Sequence, residues 1–334
     1  MHQVASDLNK AKREPFFDVM VADWDHRDFP TGDSLQKDIF GWLSPPDSWK
    51  NHHAACESHH RGTAEWFIQG DTFSEWKTSE VPSSLLWVHG KRLLIPSFCG
   101  STKTKYIFWF RSWRWKKRLL VRENFVFPSR ELIVFVSSAI IEDIRAMQKA
   151  GLASLAFFYC DFREDRKKEL RGLLSSFLVQ FYHQSDAYFD ILSKFYLEHD
   201  KGSRPPSDDA LAGCLKDLLK LPGLAPVYLI VDALDECPNS SVVRSPRAKV
   251  LSFIEELVTT QILNLHACVT SRPEHDIKDV LDPLIFRSIS LHDESGQKRD
   301  IEDYIKSVIN TRTMWEEEHR KLAIEVLTEN SNGM

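Results

Sequence analysis

The chain has 334 residues, a hydrophobic fraction of 43% and a formal net charge of −5 at pH 7. This length allows one large or two ordinary domains with a substantial core, and the negative charge argues against a general nucleic-acid-binding protein. Six scattered cysteines without CxxC spacing favour reduced core residues in a cytoplasmic protein over a disulfide framework.

The N-terminal part of the chain divides into two segments by composition. Residues 1–34 are polar and have no apolar stretch typical of a secretory signal, so we interpret them as a remnant of an upstream module or a linker. Residues 35–83 are predicted to form a helical segment that leads into the next domain. Its first helix is predicted over 35–43 and ends before Pro45.

A group of histidines lies within the helical lead-in. On a helix, His52, Cys56 and His59 would share one face, which suits Zn²⁺. The loose spacing and the lack of a second cysteine favour a solvated helix instead.

The first strand of an α/β core is predicted at residues 84–91, ending in Gly90-Lys91. A stretch of different character follows at 92–135. It contains ten Lys or Arg residues against two Glu, and three tryptophans, Trp109, Trp113 and Trp115, interleaved with them.

Strands and helices then alternate at the scale of a parallel sheet with right-handed crossovers. Helices are predicted over 136–149, 166–182, 207–219 and 246–257, and strands over 155–162, 227–231, 265–270 and 285–291. We therefore predict an α/β fold: a parallel sheet covered by helices on both faces, with a helical segment before it and the start of a helical subdomain after it. The core is predicted to continue over 136–310 and the subdomain over 311–334.

The strand at Val227–Val231 runs directly into Asp232-Ala-Leu-Asp235-Glu236. A continuous apolar run is typical of a strand buried on both faces, and open α/β sheets bind ligands at the carboxyl ends of such strands. Asp232 is a candidate ligand for Mg²⁺ on a nucleotide's phosphates, and Asp235 and Glu236 are candidates to position a water or the metal. A buried strand ending in a solvated acidic turn is the simpler alternative.

A second strand with a polar tip ends in Thr270-Ser271-Arg272-Pro273. The guanidinium of Arg272 is suited to phosphate oxygens, so Arg272 is a candidate sensor of a terminal phosphate. The alternative is a surface arginine before a helix that begins with Pro273.

These two motifs resemble the Walker B and sensor 1 segments of NACHT-type NTPases, which belong to the STAND class of P-loop NTPases. Further stretches resemble the fungal branch with a nephrocystin-3-like N-terminal domain. They are Gly62–Phe67, Ser84–Gly90, Phe157–Phe162, Ile289–Leu291 and Asp300–Ile305. The resemblance implies a P-loop NTPase fold and a signal-transducing switch that binds ATP or GTP with Mg²⁺. It further implies self-association and effector-domain proteins as partners.

The sequence departs from this family at the phosphate loop. The family pattern is Gly, four residues, then Gly-Lys-Ser/Thr, and no segment of the chain matches it in full. Gly90-Lys91 is followed by Arg92, and Lys103-Thr104 would need glycines at Ser97 and Thr102. Gly90, Lys91, Lys103 and Thr104 are therefore the remaining candidates for phosphate binding, and whether the chain is an enzyme stays open.

Three interpretations of residues 92–135 compete. The block is translated intron sequence, or a true insertion in a degenerate and non-hydrolysing relative, or a functional segment that binds nucleic acid or an anionic membrane surface. No run in it approaches the roughly 20 apolar residues that a membrane span requires. The function alternatives follow: an impaired nucleotide switch, a pseudo-NTPase scaffold for protein–protein contacts, or binding through 92–135.

Overall fold

The computed structural model describes residues 34–58, 64–90, 106–107, 120–121, 131–240 and 245–291, and scattered helical positions between 302 and 325. Its strands are β1 Ser84–His89, β2 Tyr106–Ile107, β3 Leu120–Val121, β4 Ser154–Tyr159, β5 Val227–Asp232, β6 Leu265–Ser271 and β7 Arg287–Ser290. Its helices are α1 Ser34–Leu43, α2 Ser48–Ser58, α3 Glu65–Ile68, α4 Asp71–Lys77, α5 Glu131–Lys149, α6 Leu170–Tyr182, α7 Asp186–Glu198, α8 Asp208–Leu219, α9 Pro246–Thr259 and α10 His275–Leu281. Short 3₁₀ turns lie at Asp165–Lys167, Leu234–Glu236 and Asp282–Leu284.

Five of the strands form one parallel sheet in the order β4-β5-β6-β1-β7. The chain leaves β1 through α5 towards β4 at one edge, whereas after β6 it passes to β7 on the other side of β1. The strand order therefore reverses between β1 and β6. In open α/β sheets the crevice at the carboxyl ends of such strands is the usual ligand site.

The sheet is buried on both faces, which explains the continuous apolar runs of its central strands. Side chains alternate between the faces along each strand, so Phe158 and Val231 contribute to one core and Phe157 and Ile230 to the other. Helices α6 to α10 pack on the first face, together with α1. Helices α3, α4 and α5 pack on the second.

The predicted α/β fold is confirmed, with corrections at several boundaries. The strand predicted over 155–162 ends at Tyr159, because the chain turns after it to make the 3₁₀ turn at Asp165–Lys167. Pro273 does not begin the following helix, which starts at His275. Helix α4 lies within the predicted helical lead-in, whereas α7 had no counterpart in the prediction.

The basic block contributes one short antiparallel pair, β2 with β3, and the first residues of α5, which begins at Glu131 and not at residue 136 as predicted. Lys91, Lys103, Thr104 and His59 fall outside the residues that the structure describes. Of the helices that are described, none combines the length and the apolar character needed to cross a membrane.

Candidate functional site

Asp232 is the last residue of β5 and is buried, with 1% of its surface exposed. Its Oδ1 accepts a hydrogen bond of 2.6 Å from the hydroxyl of Thr270 at the end of β6. The hydroxyl of Ser137, on helix α5, donates to the same oxygen. The sheet register places Thr270 beside Asp232, and α5 brings Ser137 over the carboxyl end of both strands. One carboxylate and two hydroxyls therefore meet at the carboxyl ends of β5 and β6, next to the point where the strand order reverses.

The turn after Asp232 is fixed by the same threonine. The N–H of Ala233 donates to Thr270 Oγ1 at 3.0 Å, and Ala233 adopts a left-handed conformation with φ 54°. This conformation costs energy for a residue with a Cβ and persists only where surrounding contacts hold it. It directs the chain into the 3₁₀ turn that carries Asp235 and Glu236.

Asp235 and Arg272 form a two-pronged interaction across the ends of β5 and β6. The backbone N–H of Arg272 donates to Asp235 Oδ1 at 2.9 Å, and its Nε donates to Oδ2 at 2.6 Å. Burial opposes the charge on Arg272, but this hydrogen bond and the negative charges of Asp235 and Glu274 raise its pKa above the usual value. Asp235, predicted to position a water, and Arg272, predicted to sense a phosphate, are thus paired with each other.

Glu236 points towards the end of β4. Its Oε2 accepts a hydrogen bond of 3.3 Å from the backbone N–H of Phe162. Glu236 therefore contacts the loop that follows β4.

Arg247 is a central member of the site that the sequence analysis missed. It lies on α9 with only 5% of its surface exposed. Its guanidinium donates to the carbonyl oxygens of Asp235 and Cys237 at 2.5 and 2.9 Å and pairs with Glu274 at 2.5 Å. Arg247 ties the acidic turn to the chain after β6. A basic residue in the first turn of a proline-started helix gave no signal of this role, because its partners, two carbonyl oxygens and the carboxylates of Glu274 and Asp276, lie in other segments of the chain.

Among the phosphate-binding candidates, Gly90 is the one that the structure describes. It is buried directly after β1, and its N–H lies 3.4 Å from the carbonyl oxygen of Ser271. Gly90 thus lies at the carboxyl end of the strand beside β6, on the edge of the sheet that carries Asp232 and Arg272.

The oxygen cluster of Asp232, Ser137 and Thr270 is chemically suited to a hard cation. Mg²⁺ prefers one or two carboxylates together with hydroxyl, water and phosphate oxygens. Ser137 was not predicted as a site residue, because the sequence has no phosphate-loop lysine from which its position could be counted. Its place in the second turn of α5 becomes meaningful only when α5 is packed on the sheet.

A model of the nephrocystin 3 N-terminal family matches residues 134–272, which is less than half of the chain. The match begins within α5, next to the end of the basic block, and ends at Arg272. Together with the five-stranded parallel sheet, it shows that the chain contains a NACHT-like P-loop NTPase fold.

A search of the curated proteins finds none that is significantly similar to this sequence. Among solved structures, that of the Aeropyrum pernix ORC2 protein in ADPNP and ADP complexes is similar over 81% of this chain and 67% of its own. The sequence identity is 10% and the TM-score is 0.36, which is too low to bear on function.

Proposed function

We propose that this chain, whose residues 134–272 match the nephrocystin 3 N-terminal family, is a signal-transducing nucleotide switch of the NACHT type with weakened binding of ATP or GTP. One observation carries the proposal. The hydroxyls of Ser137 and Thr270 both donate to one buried carboxylate oxygen of Asp232, at the carboxyl edge of the sheet. In this proposal Asp232 holds Mg²⁺ on the phosphates, directly or through water.

The switch would operate through differential binding. A triphosphate offers γ-phosphate oxygens to groups at this edge of the sheet and a diphosphate does not, so the two nucleotides stabilise different arrangements. Arg272 would respond to the γ-phosphate by releasing Asp235, and Asp235 and Glu236 would then position water or metal. The triphosphate state would self-associate and engage effector-domain proteins.

The weakening follows from the phosphate loop. Backbone N–H groups of a Gly-rich loop and its lysine supply most contacts to the phosphates, and this sequence has no Gly-x₄-Gly-Lys-Ser/Thr segment. Gly90, Lys91, Lys103 and Thr104 are the remaining candidates. A lone metal-binding carboxylate cluster holds Mg-ATP weakly. We further propose a cytoplasmic protein, a setting in which buried thiols such as Cys160, Cys214, Cys237 and Cys268 stay reduced.

A scaffold without nucleotide is the second candidate, and the ion pairs favour it. Arg272 is paired with Asp235 and Glu274, while Arg247 is paired with Glu274 and the carbonyl oxygen of Asp235. This network satisfies the polar groups of the acidic turn without a ligand. Such a turn can stabilise the sheet edge for protein–protein contacts alone.

Titration calorimetry of the full chain with ATP, with and without Mg²⁺, tests the switch. We expect saturable, Mg²⁺-dependent binding in the wild type. Asp232→Asn keeps the size of the side chain and removes its charge, so it should weaken binding by about tenfold or more, the value of one charge-assisted contact. The matched control is Asp217→Asn on the exposed side of α8, which should bind as the wild type does.

Two outcomes contradict the switch. Absence of saturable binding, in a chain whose circular dichroism shows an intact fold, supports the scaffold. Binding that is equal in Asp232→Asn and in the control places any nucleotide site away from Asp232.

A further inference from the structure

A second polar cluster lies between α2 and α5, beside the end of β4. His52 and Cys56 project from α2, and Glu142 projects from α5. The Nε2 atom of His52 lies 2.8 Å from Glu142 Oε1 and 3.6 Å from Cys56 Sγ. One ligand atom from each of the three residues lies within 4.8 Å of the others.

One of these distances matches an edge of a metal coordination tetrahedron, and the others require a small movement of Glu142. With Zn–N near 2.0 Å and Zn–S near 2.3 Å, the nitrogen and sulfur ligands lie about 3.5 Å apart, close to the separation of His52 and Cys56. The nitrogen–oxygen edge should be about 3.3 Å, so Glu142 would retreat by roughly half an ångström. The spacing of four residues between His52 and Cys56 keeps both on one face of α2.

The surroundings of the cluster resemble those of metal-bound histidines. His52 is 1% exposed, and its second ring nitrogen, Nδ1, lies 3.0 Å from the hydroxyl of Tyr159. Metal-bound histidines almost always have such a partner on the other nitrogen, which fixes the ring. Glu142 also accepts a hydrogen bond of 3.1 Å from Arg145, whose guanidinium lies over the ring of Trp49.

Burial affects the protonation states of the two α2 residues. It lowers the pKa of His52, which favours the neutral ring that a metal requires. It raises the pKa of Cys56 to about 12, so the thiol keeps its proton until a metal replaces it. A thiolate and a carboxylate together would neutralise the charge of one divalent cation.

We propose that His52, Cys56 and Glu142 form a Zn²⁺ site that fastens α2 to α5. On binding, the Cys56 thiol releases its proton to solvent, and the proton of the neutral His52 ring resides on Nδ1, facing the oxygen of Tyr159. Zinc with three protein ligands takes a water as its fourth. The sequence pattern that suggested zinc used His59 as the third ligand, and the structure supplies Glu142 from a distant segment in its place.

Co²⁺ is the probe, since its thiolate complexes absorb strongly. The full chain, first stripped with a chelator, is titrated with Co²⁺ and then with Zn²⁺. We expect about one equivalent of Co²⁺ to give a thiolate absorption band, which Zn²⁺ then removes. Cys56→Ala should lose the band, and Glu142→Gln should bind Co²⁺ at least about tenfold more weakly. Cys214→Ala removes another buried thiol, on α8, and should keep the band.

The proposal is overturned if the wild type gives no thiolate band, or if the band persists in Cys56→Ala. The three residues would then be a hydrogen-bonded packing contact between α2 and α5. Circular dichroism of each variant establishes that it is folded, and the Glu142→Gln titration tests the site without removing the thiol. ATP is absent throughout, so the result does not depend on the proposed nucleotide switch.

Discussion

Asp235 and Arg272 illustrate how much the roles of single residues depend on their partners. From the sequence, each was a candidate to face a nucleotide from its own strand end. The sheet brings the two strand ends together, and the two side chains pair at 2.6 Å. A ligand that uses the Nε of Arg272 must first separate it from Asp235, a cost that no sequence pattern displays.

Arg247 is the converse case: the sequence analysis did not select it, yet it contacts the acidic turn. It accounts for the shape of the acidic turn, since its guanidinium satisfies two carbonyl oxygens there. A buried arginine is tolerated only when its donors are used and its charge is balanced. Sequence patterns identify acids at strand ends, but they do not show which distant cation balances them.

The buried His266 should make the stability of the protein depend on pH. Its ring stacks on Tyr228 at 4.7 Å, its Nδ1 lies 3.1 Å from the carbonyl oxygen of Trp76, and burial lowers its pKa to about 4. The unfolded chain binds a proton near the ordinary pKa of 6.5 and the folded chain does not. The contribution of His266 is therefore complete above about pH 6.5 and is lost as the pH falls towards about 4.

We expect acidification from about pH 7.5 to about pH 5 to remove roughly 2 kcal/mol of unfolding free energy through His266. Urea denaturation at both pH values measures this change in the free energy of unfolding. His266→Gln should show a pH dependence smaller by that amount, while the other buried histidines keep theirs. An equal pH dependence in both proteins would show that His266 is protonated in the folded state.

At the scale of elements, the ends of several helices follow local sequence rules. Ser207 and Ser245 precede α8 and α9, and their hydroxyls accept hydrogen bonds from Ala210 and Ala248. Gly151 ends α5 in a left-handed conformation with φ 71°. These ends were predictable because capping involves neighbours in the chain.

Gly172 in α6 has a requirement that comes from tertiary contact. A Cβ at this position would collide with the carbonyl oxygen of Arg166 in the preceding turn. Gly213 in α8 has open space around the same position. The two glycines are alike in local sequence terms, and only the packing of the turn onto α6 separates them.

This difference predicts opposite effects of alanine. Gly172→Ala should lower the free energy of unfolding by about 1–3 kcal/mol, because the turn at Asp165–Lys167 must move away from α6. Gly213→Ala should raise it by up to about 1 kcal/mol through helix propensity. Chemical denaturation of both variants measures the two values. A higher free energy of unfolding in Gly172→Ala would show that the turn moves away from α6 without loss of stability.

At the scale of the whole molecule, the sheet order creates the candidate site. β1 lies between β6 and β7, so Gly90 and Ser271 end side by side, with Thr270 and Asp232 adjacent. Helix α5 then crosses the sheet and brings Ser137 to Asp232. The proposed metal position is lined by Asp232, Ser137 and Thr270, and the sequence between β1 and α5 has no match to the phosphate-loop pattern of the family.

Restoring that loop should restore nucleotide binding. We expect a chain in which residues 91–134 are replaced by a segment ending Gly-x₄-Gly-Lys-Ser to bind Mg-ATP at least about tenfold more tightly than the natural chain. A matched chain with Ala for the introduced lysine should lose most of the gain. Calorimetry measures the affinity of all three chains for Mg-ATP. No gain in a folded chain would show that the edge formed by Asp232 and Arg272 does not accept a nucleotide.

The sequence by itself determined the α/β class, most strand and helix positions and the acidic and basic strand ends. Apolar runs, helical periodicity and caps depend on residues close together in the chain. The tertiary structure decided the strand order, the joining of Ser137 and Thr270 to Asp232, the pairing of Asp235 with Arg272 and the position of Glu142 beside His52. Those contacts join segments far apart in sequence, and only the packing of helices on the sheet brings them within hydrogen-bonding distance.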